Sequence, residues 1–434
     1  MPASSFCAID FGTSNSAIAI PAAGGAGMRL VELEPGYRTM PTAVFYFTEG
    51  RHDADGPPRA FGRAAVAAYV EGSDGRLMRS MKSILGSGLI EQTTDVGGGH
   101  GVKYFDILAG YLKRLRNQAL AAGAAAPLDQ LVLGRPVFFV DEDPARDAEA
   151  QASLKAAAQA VGFRQVEFQF EPIAAAFDYE SKISEERIVL VADIGGGTSD
   201  FSVVRVGPQR MQRLDRRDDI LANHGVHIAG TDFDRHIELA SILREFGYRS
   251  LGPARGDSPP REVPSGVYFD LATWHLINTV YNPGRIAELR SMKSFYGNPL
   301  HHQRLMTVVE DRLGHELAGR AEDAKIAVSG GGDTEIDLGL VENGLRVPLS
   351  ERVAVDSLQA DIGRIVQAGR ETVTQAGLRP DQIDALYFTG GSTGLRLLAD
   401  RIAAEFPTAQ AVRGDAFASV ATGLGLHAAR LFAQ

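Results

Sequence analysis

The chain has 434 residues, 44% of them apolar, with 44 basic and 54 acidic side chains and a net charge of −10. At roughly 150 residues per domain this is two or three folding units, and the acidic balance excludes a general nucleic-acid binder, which needs a basic face. A single cysteine, Cys7, excludes a disulfide framework and a cysteine-rich zinc site.

In chain order, the first 21 residues lack a basic leader region and are interrupted by Asp10, Thr13, Ser14 and Asn15, so no signal peptide is expected. No apolar run approaches the roughly 18 residues of a membrane span, and the reading is of a soluble cytoplasmic protein. Cys7 to Ile20 reads as strand, tight turn, strand, with Asp10 and Gly12 at the turn. Helical spacing runs from Leu108 to Leu120, and Leu131–Leu133 with Val137–Val140 reads as buried strand. An alanine-rich helix is predicted from about Arg146 to Val161, with Gly162 as its stop. Val166–Phe170 is a predicted strand leading to Glu171-Pro172, and Pro172 suits the first turn of the helix that follows. Ile188 to Val204 repeats the grammar of the first hairpin, passing through Asp193, Gly195, Gly196 and Gly197. Two such units about 180 residues apart predict two related lobes facing a cleft.

Gly252–Gly266, with four prolines, is the best surface loop, and Val353–Ala376 is a long amphipathic helix. Leu386–Thr389 is a short strand followed by Gly390-Gly391-Ser392, and Leu395, Leu398, Ile402 and Phe406 mark one helical face. A last helix is expected from about Phe417 to Phe432. A second echo sets Arg79–Gly86 against Arg290–Gly297, and lobe symmetry and chance both account for it. His301-His302 reads as loop or surface, and Trp274 as packing.

The turns carry chemistry. Gly12 allows close backbone approach to an anion, and Thr13, Ser14 and Asn15 offer donors to phosphate oxygens. Three consecutive glycines at 195–197 would weaken an ordinary hairpin, and a phosphate cradle is a reason to keep them. Asp10 and Asp193 facing each other suit hydrated Mg²⁺, which favours carboxylates, waters and substrate phosphates. The Gly390–Ser392 turn, between strand and helix, can meet an anion or a sugar edge. There is no Walker A loop, dinucleotide fingerprint, zinc-protease helix or hydrolase elbow.

These motifs, in this order, resemble the actin-like ATPase superfamily, and within it the heat shock protein 70 (DnaK-type chaperone) family. Ile9–Ser16 and Asp193–Asp200 resemble its two phosphate motifs, Glu171–Ala176 its connecting segment, and Gly230–Asp234 its Gly-Gly-x-Asp-Phe-Asp. Length and the segments 79–86 and 268–281 resemble the shorter YegD-type members. The resemblance implies an α/β actin-like (ribonuclease H-like) fold of two lobes, each a mixed sheet with flanking helices, around a nucleotide cleft. Lobe I would be 1–187, holding the Lys82 subdomain and closed by a C-terminal helix at 413–434. Lobe II would be 188–412, with an inserted subdomain at about 233–310.

It also implies roles. Asp10 and Asp193 would bind Mg²⁺ through waters, with Glu171 nearby, in an ATP/ADP site. Gly12, Thr13, Ser14 and Asn15, with Gly195, Gly196, Gly197 and Thr198, would clasp the phosphates, and Gly230 belongs to the same binding set. Lys82 would align the attacking water and Thr198 would help order it, both with the catalytic carboxylates. Glu322 and Lys325 would reach the ribose, with Ser329, Gly390, Gly391 and Ser392 along the nucleoside. Ile326 and Gly394 stand where the family places arginines, so weaker adenine affinity and looser base selectivity are expected. The acidic linker and client-gripping β-sandwich of full-length chaperones are not found in these 434 residues. The implied activity is a slow Mg²⁺-dependent ATPase, chaperone-related, with nucleotide and protein clients or a co-chaperone as partners, and without nucleic acid or membrane. The alternatives are a small-molecule kinase of the superfamily, a filament protein, and a nucleotide sensor without turnover.

Overall fold

The computed structural model describes residues 6–22, 27–51, 56–97, 99–140, 143–254, 259–414 and 419–432. Two mixed sheets organise the chain, and they share one strand order. In the first, Phe6–Phe11 pairs antiparallel with Asn15–Pro21, which pairs with Met28–Leu30; on its other edge Phe6–Phe11 pairs parallel with Gln130–Arg135, then Gln165–Phe170. In the second, Arg187–Ile194 pairs antiparallel with Ser199–Val206, which pairs with Ile220–Val226. Its other edge pairs parallel with Ala385–Thr389, then Gln410–Arg413. The echo between the two hairpins is therefore the opening of a repeated five-strand pattern. Its central strands are apolar on both faces (Val189 to Ala192 are all buried), as strands covered on both sides must be.

Helices supply those covers. Tyr104–Ala121 and Pro144–Ala160 bury one face of the first sheet, through Leu108, Leu112, Leu115 and Leu154. Asp143 caps the second of these by accepting the Arg146 N–H at 3.1 Å, Pro144 opens it, and Gly162 ends it at φ 103°. Glu351–Gln375 and Arg396–Glu405 cover the second sheet with Leu358, Ile362, Leu398 and Ile402. A further helical core, from Ile237 to Ala354, includes Pro299–Glu310 and Gly314–Ser329.

The two sheets meet through a pair of helices, Glu171–Glu180 and Ser419–Phe432, whose Ile173, Phe177, Leu424 and Ala428 share a core with strands of both sheets. Gly423 makes the crossing possible: a Cβ there would lie 1.9 Å from the Ala174 carbonyl oxygen. The far end of Glu171–Glu180 is tied down by charge. Arg216, fully buried, donates to the two Glu180 carboxylate oxygens at 2.8 and 3.0 Å and also to Asp219. Losing one partner of such a buried pair leaves an uncompensated charge, which is strongly destabilising.

Most predicted elements stand within a few residues of expectation, with three corrections. Val137–Val140 is not a strand: Pro136 has no N–H to continue the ladder, and Phe138 is 51% exposed at the edge of a cleft. His301 and His302 lie in the helix Pro299–Glu310, started by Asn298 and Pro299, and His302 is buried with Nε2 2.9 Å from the Leu289 carbonyl. The last helix begins at Ser419 among the described residues, and Gln410–Arg413, where its start at 413 was expected, is a strand; residues 415–418 and 433–434 lie outside the described residues. The Arg79/Arg290 echo is local only. Both segments form a 3₁₀ turn, Met81–Ile84 and Met292–Phe295, but Ser80 is left-handed at φ 52° while Ser291 is helical at φ −66°.

Gly423→Ala should lower the unfolding free energy by about 1–3 kcal/mol through overpacking, read as a lower urea midpoint at unchanged slope. Gly110→Ala, in a helix where a Cβ would meet nothing, should instead leave stability unchanged or raise it by up to about 1 kcal/mol.

Candidate functional site

A cavity of about 2010 Å³ opens between the two hairpins, and every residue singled out in the sequence for nucleotide or metal lines it. The first hairpin turn is held from outside by Thr42, whose hydroxyl donates to the Gly12 carbonyl at 2.8 Å and whose N–H donates to the Ser14 carbonyl at 2.9 Å. Its Cβ-free corner is needed, since a Cβ on Gly12 would sit 2.3 Å from the Asn15 carbonyl oxygen.

The second turn is held in the same manner. The Ser392 hydroxyl donates to the Gly195 carbonyl at 2.6 Å, and the Thr231 N–H and hydroxyl both donate to the Gly196 carbonyl at 2.8 Å. Gly390, at φ 83°, passes so close that a Cβ would stand 2.6 Å from an Asp193 carboxylate oxygen, and a Cβ on Gly230 would meet the Ser392 hydroxyl at 2.4 Å. Gly195 and Gly197 differ: a Cβ at either would meet no protein atom closer than 3.9 Å. Their bareness leaves room at the cleft wall instead of relieving an internal clash, which is what a backbone cradle for a ligand requires.

Four charged side chains converge at this end. Asp10 and Asp193 close the first strands of their sheets, and Glu171 opens the helix Glu171–Glu180. Lys82, on the 3₁₀ turn after Ser80, donates to Glu171 Oε1 at 2.6 Å. Burial, then the charge of Glu171 and of Asp193, pushes the Asp10 carboxyl up to about 8 against the pull of Lys82. Burial, Asp200 and Glu171 push Asp193 up to about 7. Burial opposes the charge on Lys82, but Glu171, Asp10 and Asp193 outweigh it and hold its ammonium above the ordinary lysine range. The donor chemistry suits a hard cation with waters between. Direct ligation is another matter: among the described residues no group of three or more His, Cys, Asp or Glu is arranged to hold a metal.

Towards the other end, Lys325 pairs with Asp234 at 2.6 Å. Burial pushes the Asp234 carboxyl up to about 6 against the pull of Lys325. Glu322 is exposed, Ile326 is 59% exposed, and the Ser329 hydroxyl donates to the Ile326 carbonyl. Two contributors escape sequence reading. Asp234 sits in the Gly230–Asp234 motif, which was signal enough. Thr42 has none, because its role arises only where Thr39–Pro41 is laid beside Asn15–Pro21.

Two like-ordered mixed sheets with glycine hairpins facing a common cleft define the actin-like ATPase fold. Within it, the family model for Hsp70 protein matches residues 92–250. The chain is 30% identical to a chaperone protein HscA homolog of Aromatoleum aromaticum (53% of this chain, 36% of that protein). It is 24% identical to the mitochondrial heat shock protein SSC3 of Saccharomyces cerevisiae (98% and 58%) and 28% identical to chaperone protein dnaK of Cyanophora paradoxa (55% and 37%). These matches make the chain similar to Hsp70 proteins, and they span between about a third and three fifths of those relatives' lengths. No described helix is long and apolar enough to cross a membrane.

Carboxyls raised by burial are bound to protons in the folded state while already ionised in the unfolded chain. Their contribution to stability is whole below about pH 4 and is lost as pH rises through the folded values near 7 and 8. The urea midpoint of the chain without cation or nucleotide should therefore fall between pH 5 and 8, and Asp10→Asn should flatten that fall.

Proposed function

We propose that the chain binds ATP and ADP with Mg²⁺ and slowly hydrolyses ATP, in two lobes divided as 1–187 with the last helix and 188–412. The observation that carries this reading is the set of bare glycine turns facing each other beside Asp10, Asp193, Glu171 and Lys82. Mg²⁺ held through water by Asp10 and Asp193, with Glu171 near, would offset phosphate charge where the crowded carboxylates already demand a counter-cation.

In this reading Gly12–Asn15 and Gly195–Thr198 grip the phosphates by backbone donors. Lys82, leaving Glu171, turns its ammonium to the terminal phosphate and orients the attacking water, and Thr198 orders that water from the opposite wall. Phosphoryl transfer depends chiefly on such positioning and electrostatics. Lys325 and Glu322 take the ribose, with Gly230, Ser329, Gly390, Gly391 and Ser392 along the nucleoside. The similarity to Hsp70 chaperones supports a chaperone-related role in the cytoplasm, in which closing of the lobes on nucleotide is passed to protein clients or a co-chaperone.

The test is Mg²⁺-dependent phosphate release by the purified chain with no acceptor added. Slow release should appear, and Lys82→Ala should cut it by about 10²–10³-fold while ADP still binds. Binding without release, restored by a sugar-type acceptor, would turn the assignment to a kinase; binding without any turnover would turn it to a sensor.

A further inference from the structure

Behind the first hairpin turn, three hydroxyl side chains meet in the core. Ser16, Thr42 and Tyr111 are each no more than 1% exposed. The Ser16 and Thr42 hydroxyl oxygens lie 2.8 Å apart, and the Tyr111 hydroxyl donates to the Pro41 carbonyl at 3.0 Å, one residue before Thr42. The direction of each proton follows from the partners. A carbonyl only accepts, so the single Thr42 proton goes to Gly12, and Ser16 donates into Thr42. A buried polar group satisfied in this way is held in one orientation.

The effect reaches the cavity through the peptide plane. In a trans peptide the C=O and the next N–H point in opposite directions. Thr42 draws the Gly12 carbonyl into the core, so the Thr13 N–H is turned away from it, and Thr13 lines the cavity while Thr42 does not. Among the described residues that N–H has no acceptor. Thr42 also fixes the far side of Thr13, where its own N–H takes the Ser14 carbonyl.

The second wall is built alike. Ser392 and Thr231 draw off the Gly195 and Gly196 carbonyls, which turns the N–H groups of Gly196 and Gly197 the other way. Neither of these has an acceptor among the described residues. There the work is divided between two residues, and on the first wall one threonine does it. Unpaired N–H groups aimed from a turn fit the oxygens of an anion. Lys325 and Ile326, at the other end of the cavity, stand on a separate helix, Gly314–Ser329.

We propose that Thr42 is a positioning residue which, without touching the ligand, aims the Thr13 N–H at a phosphate oxygen and so sets affinity for the phosphates and not for the nucleoside. The proposal rests on the nucleotide reading above.

Thr42→Val keeps the shape and the backbone N–H and removes the hydroxyl. By titration calorimetry its affinity for MgADP should fall about ten-fold or more, the scale of a lost hydrogen bond to a charged group. Its affinity for adenosine should stay within about two-fold of the unchanged chain. Thr42→Ser, which restores the hydroxyl, should recover MgADP affinity to within about three-fold. Equal losses for both ligands reduce Thr42 to a structural role and overturn the proposal. MgADP affinity within about two-fold of native does the same, and in both cases the nucleotide site stands. If the valine variant fails to fold, amide exchange in the native chain decides. The Thr13 proton should exchange about ten-fold more slowly with MgADP than without ligand, and adenosine should not slow it. Exchange that MgADP leaves unchanged overturns the proposal. Failure of the unchanged chain to bind MgADP overturns the nucleotide reading and the role of Thr42 with it.

Discussion

Everything in the cleft depends on a shortage of positive charge. Two strand-end carboxylates and a helix-start carboxylate are brought together by the fold, and Lys82 answers them by pairing with Glu171. Inside protein, where the effective dielectric constant is far below that of water, like charges at such range cannot all stay ionised. The fold meets this by holding the Asp10 and Asp193 carboxyls well above the ordinary carboxylate range, up to about 8 and about 7. A site held in that condition is ready for a cation, whose charge would favour the ionised carboxylates and release their protons.

The repeated strand order explains how the carboxylates come to face each other. In each sheet the first strand is central and ends at the same relative place, so a residue of the same type at its end arrives at the cleft from both sides. The remaining architecture serves that approach. Thr42 steadies one turn from behind, Ser392 and Thr231 steady the other, and Gly390 gives up its side chain to let a neighbouring strand end beside Asp193.

What could be read in the sequence was what is encoded within a few residues. The hairpins, their aspartates, the Glu171-Pro172 start and Lys82 all announce themselves through local composition, and the structure places them around one cavity. Reading failed where the cause is distant or where an apolar run faces water. Phe138 and its neighbours look like a buried strand because periodicity counts apolar residues without knowing which surface they face. Gly12 lies 30 residues from Thr42 and Glu180 lies 36 from Arg216, and Tyr69 stacks on Trp274 only because two segments distant in sequence come to rest side by side. No local pattern marks such meetings.

The buried guanidinium of Arg216 gives the helix Glu171–Glu180 a mechanical character. Ten residues span about 15 Å, with Glu171 in the cleft at one end and Glu180 locked to Arg216 at the other. A pair entirely out of water has no half-broken state of low energy, so the helix behaves as a strut and not as a spring. Any displacement of Glu171, such as the loss of its lysine, cannot be absorbed along the way and must reappear as rotation about the pinned end, where the loop from Gly207 to Asp219 begins.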